Sequence, residues 1–236
     1  MERDLGELRS VDVGGLTMVY RVAGDPAAPP MLLLHALGES GHDWRGVLPE
    51  LARTHRVHVP DLRGHGASGF PGQYSFELIR DDVLGFLDAL GVPETVLIGH
   101  SLGAVVGLLV ADAAPHRVLR LVLEDAPPPK PGALDRPPLE PPDEPLPYDF
   151  AVVNAIRHQL TNPDPQWWER SADIAVPTLV VGGGPESQIP QEILAELAGR
   201  MPDARFVTIA AGHHVHRNQP AAFVAVVRGF LSLGPA

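Results

Sequence analysis

The chain has 236 residues, 44% of them hydrophobic, which is enough to bury a sizeable core as one domain. Its formal net charge of -11 at pH 7 argues against nucleic acid or an anionic membrane surface as partner, because both carry the same sign. With no cysteine, disulfides, thiolate metal sites and a cysteine nucleophile are excluded.

The opening stretch, Met1 to Glu7, is charged and lacks the apolar run of a secretory signal, so a cytoplasmic protein is expected. No apolar stretch approaches the length of a membrane span. Leu8 to Val13, Gly14-Gly15 and Leu16 to Val22 read as a β-hairpin. Met31 to Leu34 is a short, wholly apolar strand of the kind buried in a parallel sheet. A helix is predicted over Trp44 to Thr54, with Trp44, Val47, Leu48 and Leu51 on one face, followed by a strand at Arg56 to Val59. Phe76 to Leu90 keeps helical spacing until Gly91 and Pro93 stop it.

Thr95 to Ile98 is a strand, Gly99-His100-Ser101-Leu102-Gly103 a sharp turn, and Ala104 to Val110 the start of a helix. A serine in G-x-S-x-G at such a place is lifted above the end of a parallel sheet. Leu119 to Leu123 is another strand. From 126 to 149, ten of 24 residues are proline, so neither helix nor strand can persist there. Two short helices follow, Phe150 to Leu160 and Gln166 to Arg170, before the strand at Pro177 to Val181. Helix Gln191 to Met201, strand Ala204 to Ile209, the segment Gly212-His213-His214-Val215-His216 and a last helix containing Phe223, Val227 and Phe230 complete the chain.

Strands alternating with helices imply a mostly parallel central sheet with helices on both faces, an α/β fold whose site lies at the carboxyl ends of the strands. The expected division is a core of residues 1–125 and 173–236 with a proline-rich helical cap inserted at 126–172.

Four segments, in order, resemble the α/β-hydrolase superfamily across almost the whole chain. Leu32 to Gly38 is similar to its H-G-x-G segment, with Ala36 where glycine is usual. Asp61 to Ser68 resembles its D-x-R-G-x-G-x-S turn, Gly99 to Gly103 its nucleophile elbow, and Gly212 to His216 its terminal G-H-x-x-H. The resemblance implies that Ser101 is the nucleophile and His213 the general base. It also implies that the backbone amides of Leu37 and Leu102 form an oxyanion hole, each donor worth about 3 kcal/mol in comparable sites.

The triad acid has two candidates. Glu186 lies in the loop after the strand ending at Val181, the usual position in the family. Asp125 lies at the end of the preceding strand, 24 residues after Ser101, an arrangement that certain haloalkane dehalogenases and zearalenone lactonases resemble. Asp125 is preferred, Glu186 stays as the alternative, and Glu124 trails both because its side chain faces the other way. Arg63 and His65 are expected to hold their turn together, and His214 and His216 to be loop or capping residues. His35, Trp44, Trp167 and Trp168 are candidates for the substrate pocket.

No sequence spacing suggests a metal site, and no phosphate-cradling G-x-x-x-x-G-K-[ST] occurs, so no cofactor is expected. The implied activity is cleavage of a small, mostly apolar ester or lactone through an acyl-serine. The same triad would equally serve carbon–carbon bond hydrolysis or perhydrolysis, and a non-catalytic ligand receptor on this scaffold is the alternative outside enzymology.

Overall fold

The computed structural model describes residues 6–132 and 135–233, so the opening segment Met1–Leu5 lies outside the described residues. Eight strands form one sheet: β1 (Glu7–Val13), β2 (Leu16–Ala23), β3 (Pro30–Leu34), β4 (Arg56–Pro60), β5 (Thr95–His100), β6 (Val118–Glu124), β7 (Thr178–Gly182) and β8 (Ala204–Thr208). Their order is β1-β2-β4-β3-β5-β6-β7-β8. The hairpin β1–β2 joins antiparallel at one edge, and all pairs from β4 to β8 are parallel. This is the expected α/β architecture.

The wholly apolar central strands are explained by burial on both sides. Leu32 and Leu34 of β3, Leu97 of β5 and Val180 of β7 enter one core. Their neighbours Met31, Leu33, Ile98 and Val181 enter the core on the opposite face. Side chains alternate across a strand, so a sheet covered on both faces needs an apolar residue at every position. Helices α2 (Phe76–Ala89), α3 (Leu102–Ala113) and α6 (Gln191–Arg200) supply the first core, while α1 (Leu48–Leu51) and α8 (Pro220–Leu231) supply the second.

One element differs from expectation. The helix predicted over 44–54 is a 3₁₀ segment, Gly41–Gly46, followed by the single turn α1. Pro49 falls in the first turn of α1. A proline has no N–H to bond back into a preceding turn, so the helix restarts there instead of running through.

Between β6 and β7 the chain leaves the sheet. Among the described residues up to Tyr148 there is no helix, and α4 (Phe150–Thr161) and α5 (Pro165–Arg170) follow. This excursion is tied back to the Asp61–Ser68 turn. His65 and Tyr148 form a bridge, Gly66 N donates to Pro147 O at 2.9 Å, and the Tyr74 hydroxyl donates to Asp149 at 2.6 Å.

Candidate active site

Ser101 stands between β5 and α3 with φ 52° and ψ -111°, a backbone state that L-residues rarely adopt. Its N–H donates to Glu124 O at 3.0 Å. The turn depends on both flanking glycines. A Cβ on Gly99 would lie 2.1 Å from the carbonyl oxygen of Gly103, and one on Gly103 would lie 2.2 Å from that of Leu34. Strand and helix meet backbone to backbone, with no room for a side chain. Leu102 opens α3, so its N–H has no partner within the helix and points out of the helix end.

At the end of β6, Asp125 also has a positive φ, 49°, and is fully buried. One carboxylate oxygen accepts from Gly183 N at 2.8 Å, and the other accepts from His213 Nδ1 at 2.8 Å and from the Ser187 hydroxyl. Burial works against the Asp125 charge, but these donors, His213 first, hold its pKa below the usual carboxylate value. With Nδ1 engaged by Asp125, Nε2 is the ring nitrogen left to accept a proton. Glu186, in the next loop, is exposed and makes no contact with His213 among the described hydrogen bonds. Ser187, which sequence reasoning passed over, joins Gly183 in bringing that loop onto Asp125.

Two buried histidines shape the loop after β3. His35 Nδ1–H donates to Ala36 O at 2.8 Å, while its Nε2 accepts from Leu62 N at 2.9 Å. His65 Nδ1–H donates to Arg63 O at 2.9 Å, and its Nε2 accepts from Gly38 N at 3.1 Å. Each ring is thereby fixed as a neutral tautomer, and burial pushes the His35 pKa down to about 3. Arg63 forms a two-point pair with Asp82, at 2.5 and 2.7 Å, so its guanidinium is spent in tying the turn to α2.

Ser101, Leu37, Leu102 and His213 all border one cavity of about 550 Å³. Among the described residues no hydrogen bond joins Ser101 to His213, a contact that in ligand-free sites commonly tightens only around substrate. The four residues expected to line the pocket do not border it. His35 is fully buried beneath the loop, bonded as described. Trp44 is buried in the second core, stacked on His216 with centroids 4.2 Å apart. Trp167 packs edge-on against Phe76, and Trp168 lies under the Lys130 ammonium, 4.0 Å from ring centroid to Nζ. Both indoles are spent as packing, and the wall is made by shorter residues such as Val105, Val153 and Ile156.

His216 is neither loop nor cap, contrary to expectation. It is fully buried, with Nδ1 at 2.8 Å from Glu124 and Nε2 at 3.2 Å from Asp43. Burial opposes its charge, but the Glu124 carboxylate and then Asp43 raise its pKa to about 9. His100 sits beside it, 3.8 Å from Asp43, with its Nε2 at 2.8 Å from the carbonyl oxygen of His213. Asp43, His100 and His216 bring ligand-capable atoms within 4.8 Å of one another, a convergence invisible in the spacing of the sequence. The His216 imidazolium faces both carboxylates, and Arg217 Nε, 2.9 Å from Asp43, adds a second positive charge. The network closes the floor under His213. His214 remains partly exposed at the cavity rim, at the start of α7 (Val215–Asn218).

Residues 29–153 match the family model described as alpha/beta hydrolase fold. Over 118 residues the chain is 36% identical to epoxide hydrolase 4 of Mus musculus, a match covering 49% of this chain and 33% of the relative. Over 99 residues it is 39% identical to 2-hydroxymuconate semialdehyde hydrolase of Pseudomonas sp. (strain CF600), covering 40% of this chain and 35% of that one. The matched region thus spans about a third of the length of these curated relatives. Among solved structures, a hydrolase from Pseudomonas aeruginosa PA01 superposes with a TM-score of 0.74 at 29% identity, covering 97% of this chain and 99% of that one. Among the described residues no helix is long and apolar enough to cross a membrane.

Proposed function

The chain belongs to the α/β-hydrolase family, and from that premise we propose that it cleaves a carboxylic ester or lactone through an acyl-serine intermediate. The observation that carries the reading is the Asp125–His213 contact at 2.8 Å on the border of a cavity that also holds Ser101. Ser101 Oγ attacks the substrate carbonyl while His213 Nε2 takes the hydroxyl proton. Asp125 holds the ring in the required tautomer and stabilises the imidazolium. The oxyanion that forms is met by the amides of Leu37 and Leu102, both at the cavity. His213 then gives its proton to the departing alkoxide. In the second half, His213 takes a proton from water, the resulting hydroxide attacks the acyl carbonyl, and the proton returns to Ser101 as the acid leaves.

Residues 126–172 serve in this reading as the cap, since Pro127 to Lys130 and, on α4, Val153, Ile156, Arg157 and Leu160 border the cavity that Ser101 also borders. A second reading, carbon–carbon bond hydrolysis on the same triad, is supported by the likeness to 2-hydroxymuconate semialdehyde hydrolase. The test is a series of p-nitrophenyl esters of increasing acyl length with the wild-type protein and Ser101→Ala. Turnover lost in Ser101→Ala supports the ester reading. No turnover of any ester removes it and leaves the carbon–carbon reading to be assayed.

A further inference from the structure

Much of the cavity wall is apolar, and the 126–172 excursion adds a group of cations to it. Lys130, Arg136 and Arg157 all border the space that holds Ser101. Lys130 is already neutralised, its Nζ lying 2.7 and 2.8 Å from the two carboxylate oxygens of Glu196. Arg136 and Arg157 differ. Among the described residues no carboxylate comes within ion-pair distance of either guanidinium, in a chain whose net charge is -11. The one acidic side chain at the cavity border, Glu39, is held by Arg217 at 3.0 Å.

The Arg157 guanidinium and the Arg136 backbone are both tied into the excursion. Arg157 Nε donates to Pro137 O at 2.8 Å, which uses one of its five donors and leaves both terminal nitrogens. On the same face of α4, Asn154 takes Leu139 at both its N–H and its carbonyl, each at 2.9 Å. Thr161 accepts from Arg136 N at 2.9 Å. Residues 154, 157 and 161 follow helical spacing, so a single face of α4 clamps the 136–139 segment and holds the backbone of Arg136 against the helix that carries Arg157. A guanidinium fork matches a carboxylate at two points.

We propose that Arg136 and Arg157 form an anion subsite, so that the substrate is an ester or lactone bearing a carboxylate or comparable anionic group away from the bond that is cleaved. This rests on the serine-hydrolase reading of the same cavity. The anion fixes the substrate's direction in the pocket, and the apolar wall receives the chain between it and the reacting carbonyl. Charge on the acyl side and charge on the alcohol side are separate arms of the test.

The test compares mono-4-nitrophenyl glutarate with 4-nitrophenyl valerate, and 4-carboxyphenyl valerate with phenyl valerate, at low salt. The proposal predicts that in one of the two pairs the charged ester has a kcat/KM at least about tenfold above its neutral partner. Arg136→Gln with Arg157→Gln collapses that ratio toward one, and 0.5 M salt, about three times physiological ionic strength, shrinks it in the wild type. Neutral esters preferred or equal in both pairs, or a variant that slows charged and neutral esters by the same factor, overturns it. If no ester is turned over, the hydrolase reading fails by itself and the subsite is judged by calorimetry of 4-phenylbutyrate against 4-phenylbutanamide. Preference for the carboxylate, lost in the double variant, upholds the subsite; equal binding or none overturns it.

Discussion

His213 and Asp125, 88 positions apart in the chain, are joined by a 2.8 Å contact between Nδ1 and a carboxylate oxygen that also receives the Ser187 hydroxyl. β6 and β7 run parallel, with Asp125 N donating to Val181 O at 2.8 Å just beyond their paired ends. An acid leaving β6 and a histidine leaving β8 therefore reach the same end of the sheet, and the loop after β7 covers the acid with donors. Nothing comparable surrounds Glu186.

Exchange of the acid follows directly from this arrangement. Asp125→Asn keeps the shape but offers an N–H where His213 needs an acceptor, so the ring is held in the wrong tautomer. The expected outcome is a fall of about 10³- to 10⁴-fold in kcat with the fold intact by circular dichroism. Glu186→Gln is expected to stay within about twofold of wild type. Steady-state kinetics on one ester checks both.

The glycine at the head of α3 is expected to be intolerant of any side chain. Gly103→Ala places a Cβ against the backbone of Leu34 at 2.2 Å, which cannot be relieved by turning a rotamer. A loss of about 3 kcal/mol or more, or recovery of the variant only in insoluble form, is expected from chemical denaturation.

Stability should fall on the alkaline side because of His216. Its folded pKa, about 9, stands above the ordinary 6.5, so the native state holds this proton more tightly than the unfolded chain. The stabilisation is complete below pH 6.5 and is lost as pH rises through about 9, a change on the order of 3 kcal/mol. Denaturation midpoints at pH 6, 8 and 10 should show this decline. In Glu124→Gln, which removes the partner that does most to raise the pKa, the decline should flatten.

Much of the fold was readable because the sheet leaves its signature in composition. Runs such as Met31 to Leu34 and Thr95 to Ile98 have no polar alternation, which only a two-sided burial explains. A continuous helix across 44–54 does not form because Pro49 breaks the hydrogen-bond ladder, although the apolar face runs through it. Glycine spacing around Ser101 carried the location of the turn, and Gly212 carried that of His213. The choice of acid stayed open because both candidates follow parallel strands with the same polarity, and only the third dimension distinguishes them. Trp44, Trp167 and Trp168 were misplaced for a related reason: an aromatic residue in a helix reads alike whether it packs or lines a pocket. The pairing of His216 with Glu124, 92 residues away, left no local trace at all.

The claim on which the account rests is that His213 makes the Ser101 hydroxyl nucleophilic, and the most direct measurement is covalent capture by a fluorophosphonate probe. Intact mass and peptide mapping are predicted to show one adduct, on Ser101, absent in Ser101→Ala and strongly slowed in His213→Gln. A wild-type protein that stays unlabelled, or an adduct that persists undiminished in Ser101→Ala, would contradict it.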